Sequence, residues 1–176
     1  MEQFYTSKLS SGSSTQANFL FSSSATLNPE PLPDVEIQRA VKQIISFVMS
    51  DDFVEGEITK TQLYLEKLNL KNPYLFIEAF STAWVKLYAS DNENHLFTLL
   101  SVSSCLPYEW LRQHGDALIL GCSSHESELV NEACIRLAES WEISEHASKL
   151  EKMKAFECDW LESYRQETIS YLKGLN

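Results

Sequence analysis

Cys122 and His125 stand three residues apart, a spacing at which a thiolate and an imidazole can share a zinc ion, and His114 and Cys134 lie nearby in the chain. A structural zinc site takes four such ligands. Cys134, however, falls on an apolar helical stripe, and no second close pair exists, so no metal ligand is assigned. HESEL at 125–129 lacks the second histidine of a HExxH zinc motif. GCSS at 121–124 lacks the second glycine of a nucleophile elbow, and the five glycines are never clustered into a phosphate loop. Glu128 and Glu132 share a helix face and would bridge a metal only beside Glu–His pairs three residues apart on neighbouring helices. His95 and His146 have no glutamate three residues earlier. The four histidines fall near expected helix ends or on polar faces, where they serve as caps or surface groups. The chain is therefore read as non-enzymatic, with no catalytic residue, no metal and no cofactor. One enzymatic alternative stays open, a small helical enzyme whose pocket is lined by His114, Cys122 and His125.

The elements around these residues read as helices. In SSHESELVNEACIRLAESW, residues 123–141, Leu129, Val130, Ala133, Cys134, Leu137, Ala138 and Trp141 recur at steps of three and four and form one buried stripe. Glu128, Glu132, Glu139 and Glu142 face the other way. Ser123 and Glu126 are spaced as a capping box for its start. Upstream, Asp34 is placed to cap a helix that buries Ile37, Val41, Ile44 and Val48. The acidic loop DDFVEGE follows, pivoting on Gly56, and a short helix spans Thr59 to Leu68. Asn72-Pro73 starts a helix that is apolar nearly all round as far as Ala89, which places it centrally. Asp91 or Asn92 caps the next helix, with Leu96, Leu99, Leu100 and Val102 inside. Pro107 opens another, which Gly115 is positioned to split. A last long helix from Glu145 to Lys173 carries Leu150, Met153, Phe156, Trp160, Leu161, Tyr164 and Leu172 inward, and Gly174 ends it. A helix of that length can also form the seam of a homodimer.

Residues 1–33 differ in composition. Serines dominate, Pro29, Pro31 and Pro33 close the segment, and Phe4, Tyr5, Phe19, Leu20 and Phe21 are too apolar for a solvated tail. A Ser-rich arm is expected, a tail or linker by composition or, given these apolar residues, a short hairpin or a segment draped over the body, followed by one all-α domain over 34–176. Six or seven helices are predicted.

Pro73-Tyr74 and Pro107-Tyr108 are related by a shift of 34 residues, which also brings Ala83 onto Ala117, Leu96 onto Val130 and Leu99 onto Ala133. Residues 73–142 on this register resemble HEAT-type repeats, most clearly in ESELVNEACIRLAESW, although Asn131 holds the place of the usual arginine after the valine. The resemblance implies stacked helical hairpins and a protein-binding scaffold that meets its partners on the second helices. A helical bundle is the other arrangement that the same pattern allows.

At 176 residues, 44% hydrophobic and 11% aromatic, the chain can build a real core, burying roughly 70% of its unfolded surface. Its net charge of -11 opposes direct binding to nucleic acid or to anionic membranes, where Lys and Arg supply the affinity. MEQFYTSKLSSGSS has neither the charged start nor the apolar run of a secretory leader, and the near-apolar run Leu96–Leu106 is too short to span a bilayer. With cysteines outside any CxxC pair, a soluble cytoplasmic protein is expected. The function expected is a non-catalytic protein–protein interaction module, an adaptor, inhibitor, immunity-type protein or chaperone-like binder. Glu126, Glu128, Glu132, Glu139 and Glu142 would meet a basic partner protein. An acidic nucleic-acid mimic that blocks a nucleic-acid-binding protein is the alternative.

Overall fold

Asn72 Oδ1 accepts from the amides of both Tyr74 and Leu75 at 3.1 Å, and Pro73 occupies the first helical position, so the chain turns into its central helix as its residue types require. In the computed structural model, residues 33–90 and 92–175 are described, and all regular structure among them is helical. The elements are α1 (Asp34–Ser50), α2 (Lys60–Lys71), α3 (Pro73–Tyr88), α4 (Glu93–Ser103), α5 (Tyr108–Leu111), α6 (Gln113–Cys122), α7 (Glu128–Trp141), α8 (His146–Leu150) and α9 (Asp159–Lys173). The arm expected over residues 1–33 lies, but for Pro33, outside the described residues. Among the described residues no helix is long and apolar enough to cross a membrane.

Other starts follow the same chemistry. Thr59 Oγ1 accepts from Gln62 N at 3.0 Å, and Asn92 Oδ1 accepts from Asn94 N at 3.1 Å. Asp34 is the first residue of α1 rather than its cap, with its carboxylate at the positive end of the helix. Asp51 closes the acidic loop, accepting from Thr61 N and Thr61 Oγ1 at 2.7 and 2.8 Å. Gly56, at φ +84°, makes the turn within it.

α3 touches α1, α2, α4, α5 and α6, which bury Leu75, Phe76, Ala79, Phe80, Ala83 and Leu87, while Tyr74 and Val85 stay exposed. α7 packs on α4, α6 and α9. The core runs without a break from Val41 and Ile44 through Phe76, Phe80 and Leu99 to Leu137, Leu161 and Leu172.

Three departures from the expected layout stand out, and the first and third of them raise the number of helices among the described residues from the six or seven expected to nine. First, the stretch after Pro107 breaks at Arg112, not at Gly115. Arg112 adopts φ +46° between α5 and α6, whereas Gly115 continues α6 beneath the Trp141 indole. A Cβ on Gly115 would lie 2.9 Å from two ring carbons of Trp141, so this glycine is required for space. Gly115→Ala gains helix propensity but forces a rigid, buried ring aside; a net loss of about 1–2 kcal/mol is expected in urea unfolding. Second, α7 begins at Glu128. The expected Ser123–Glu126 capping box does not form, because Ser123 Oγ donates to Leu120 O at 2.7 Å and extends the end of α6.

Third, the expected long last helix is two helices, α8 and α9, separated by residues 151–158. No glycine or proline lies there. The break is set by tertiary contacts: Arg165 Nη1 donates to the Leu150 carbonyl that ends α8, at 2.8 Å, and Phe156 N–H donates to Glu162 Oε2 at 3.2 Å. The phase of α9 is then set by Leu161, Arg165, Thr168, Ile169 and Leu172, which are buried. Trp160, expected inward, is 54% exposed.

Candidate interaction site

The turn from α6 into α7 is built around His125. Its Nδ1 accepts from Ser127 N at 3.0 Å, its carbonyl accepts from Asn131 Nδ2 at 2.9 Å, and its ring meets Tyr88 edge-on at 5.5 Å. These contacts hold the N-terminus of α7 open on two sides. A cleft of about 360 Å³ lies on one side, with Glu126, Glu128, Asn131, Lys154, Phe156 and Glu157 along its walls. A second cleft, of about 370 Å³, lies between Ser90, Glu93, Glu126 and Ser127. Three carboxylates against one ammonium give the first cleft a negative potential, with the half-buried Phe156 ring as its apolar part.

The five glutamates expected to form one partner face separate into two groups. Glu126 and Glu128 are exposed, and they have no ion-pair partner among the described residues. The other three are engaged within the chain. Glu132 pairs with Arg136 one turn on. Glu139 accepts from Tyr164 OH at 2.5 Å, and Glu142, at φ +52° just past the end of α7, accepts from Tyr171 OH. Burial, reinforced by Glu139, raises the Tyr164 hydroxyl well above its ordinary value, so it stays a donor. Tyr164 and Tyr171 both lie on α9, which therefore lies against the lower half of the α7 acidic row.

His114, Cys122 and His125 are not gathered in one site. The clefts that His125 lines contain neither of the others. Burial pushes the Cys122 thiol up to about 12, against a weaker pull from the Trp84 indole, so it carries no thiolate near neutrality. Cys134 is fully buried, also pushed up by burial, and its Sγ donates to Ile119 O at 3.2 Å. His114 Nδ1 lies 2.9 Å from Ser81 Oγ between α6 and α3, a serine–histidine contact with no carboxylate on the imidazole among the described residues. Among the described residues no three His, Cys, Asp or Glu side chains come together as metal ligands.

His146 departs most from its expected place. Rather than lying on a polar face, it is 0% exposed, with Nε2 2.9 Å from Asp116 Oδ1. An aspartate–histidine pair of this kind orients a general base in hydrolases, yet here no reactant can reach the ring from solvent. The signal was present in the sequence: His146, Ala147 and Leu150 fall on one stripe, so the histidine occupies a core position. Arg165 likewise sits four residues after Leu161 on the buried stripe of α9.

Comparison with known proteins finds no matching family model, no matching curated relative and no matching solved structure.

Proposed function

We propose that the chain is a non-catalytic protein-binding module that takes a basic segment of a partner protein at the N-terminal end of α7. The carrying observation is the pair of exposed, unpaired carboxylates Glu126 and Glu128 beside the acidic cleft with Phe156. Partner lysine or arginine side chains would set their charged heads on the carboxylates and their aliphatic stems against the ring. In this reading α3–α4 and α6–α7 form two HEAT-like hairpins, supported by the packing of α3 on α6 and of α4 on α7. Cytoplasmic residence is proposed from the four free cysteines, two of them buried. A homodimer seam on α9 would centre on the exposed Trp160.

The nucleic-acid mimic has less support. It needs a continuous row of free carboxylates, and Arg136, Tyr164 and Tyr171 engage the row below Glu128.

The test is charge reversal on a partner captured from native lysate and then purified. Glu126→Lys with Glu128→Lys should weaken that complex by about tenfold or more at low salt, and added salt should weaken the unaltered complex too. Binding that ignores both the reversal and the salt, or that falls equally with Glu93→Lys across the ridge, would sink the assignment.

A further inference from the structure

α8 is five residues long and starts at a side chain that solvent does not touch. His146 points its Nε2 at Asp116 Oδ1 on α6, while its ring lies against Tyr108 of α5 at 5.3 Å and Trp141 of α7 at 5.9 Å. Lys149 Nζ and Tyr108 OH reach the same carboxylate oxygen, each at 3.3 Å. Three donors from two short helices thus converge on one acceptor of α6. Two further charges stand near Tyr108: Arg112, between α5 and α6, and Glu145, which precedes α8. α7 contributes the Trp141 wall and the Ala138 carbonyl, and α9, which packs on the far end of α8, brings the Arg165 guanidinium, paired with Glu162, to the Leu150 carbonyl.

The geometry selects one protonation state. Asp116 is held below the ordinary carboxylate range: burial pushes it up, but the hydrogen bond from His146 and the charge of Lys149 outweigh that. A carboxylate only accepts, so the imidazole proton sits on Nε2. Nδ1 is buried and makes no hydrogen bond. A second proton would place a full charge, away from solvent, in a site that already holds the Lys149 ammonium, and its Nδ1–H would have only the Ala138 carbonyl to turn to.

We propose that α8 is an acid-released clasp: uptake of a second proton by His146 unseats α8 from the Tyr108–Trp141 wall and uncovers Trp141 and Leu150, while α1 to α4 stay folded. Burial pushes His146 below its ordinary 6.5 and Lys149 adds to the effect, against upward pulls from Asp116 and the Ala138 carbonyl that do not overcome them. The opened segment takes up its proton near 6.5 and the closed one only at lower pH. The clasp is therefore at full strength above 6.5 and weakens as pH falls from there, its opening constant rising by up to about tenfold per pH unit.

Hydrogen exchange on the full chain, corrected for the intrinsic pH effect, tests this together with the His146 ring titration by NMR. Between pH 7.5 and 5.5, protection over residues 146–151 should fall about five- to tenfold, with α1 and α3 unchanged and the ring titrating below 6.5. His146→Phe keeps a ring and removes the proton, and should abolish the pH step. Unchanged protection, a ring titrating at or above 6.5, or equal loss in α1 and α3 would each overturn the proposal. Should His146→Phe not fold, the two measurements on the unaltered chain decide by themselves.

Discussion

Trp141→Ala is expected to destabilise the protein by about 4 kcal/mol, lowering the thermal midpoint by roughly 8–16 °C. The indole is 7% exposed and fills the space that Gly115 leaves open in α6. It also carries out a polar task, since Nε1 donates at 2.9 Å to the Leu106 carbonyl just before α5. Loss of the side chain removes the packing and orphans that buried acceptor. Trp141→Phe separates the two contributions: most of the volume returns, the hydrogen bond does not, and a loss of about 1–2 kcal/mol should remain. The coupling to Gly115 gives a second measurement. Gly115→Ala should be harmful in the native background and neutral or favourable with Ala at position 141, because the ring it collides with is gone. Additive effects of the two substitutions would show that the ring does not pack on the glycine.

This single tryptophan marks both what the sequence makes legible and where it stops. The stripe ending in Trp141 identifies a buried helix and its C-terminal end, because 3.6-residue periodicity is a local property, but the start expected near Ser123 falls at Glu128 instead. That Gly115 lies beneath Trp141 involves two elements 26 positions apart (141 − 115), and no local pattern carries it. Caps divide the same way. Asn72 and Asn92 act through amides two or three residues ahead and were readable, whereas Thr59, read as a first helical residue, is a cap, Asp34, read as a cap, is a first helical residue, and Ser123 bonds backward to Leu120.

The candidate site was legible in part. Glutamates spaced along α7 announce an acidic face, but which of them stay free depends on α9. Tyr164 and Tyr171 bond to Glu139 and Glu142 only because the chain breaks after α8 and returns along α7. The first cleft beside His125 arises the same way, from the 151–158 segment folding back beside the start of α7, whereas the second is walled by Ser90 and Glu93 at the start of α4. Buried His146 and Arg165 lie on stripes the sequence shows, yet their chemistry argues against burial. A titratable residue on a core stripe reads as surface until its partner, here Asp116 or Glu162, is placed beside it.

Glu162→Ala is expected to cost about 3 kcal/mol, more than any ordinary surface glutamate, because it strips a buried arginine of its counter-ion. Arg165 is 5% exposed; its Nε donates to Glu162 Oε2 at 2.9 Å and its Nη2 to Oε1, a two-point pairing one turn apart on α9. The guanidinium also holds the Leu150 carbonyl, and the carboxylate holds Phe156 N–H, so the pair ties down both ends of the bend between α8 and α9. Residues 151–158 contain good helix formers, and without these ties nothing local keeps α8 and α9 apart. Removing both members, as Glu162→Gln with Arg165→Met, should therefore cost less than removing the acid alone, since no unpaired charge is left inside. The pairing also sets an acid limb. The Arg165 bonds hold the Glu162 carboxyl down to about 2 from its ordinary 4.5, so its stabilisation is complete above 4.5 and is lost as pH falls from 4.5 toward 2. This limb begins at 4.5, below the 6.5 at which the His146 step begins, and Glu162→Gln should flatten it while leaving the onset at 6.5 intact. A single transition that both substitutions shift together would mean that the bend and the clasp unfold as one unit.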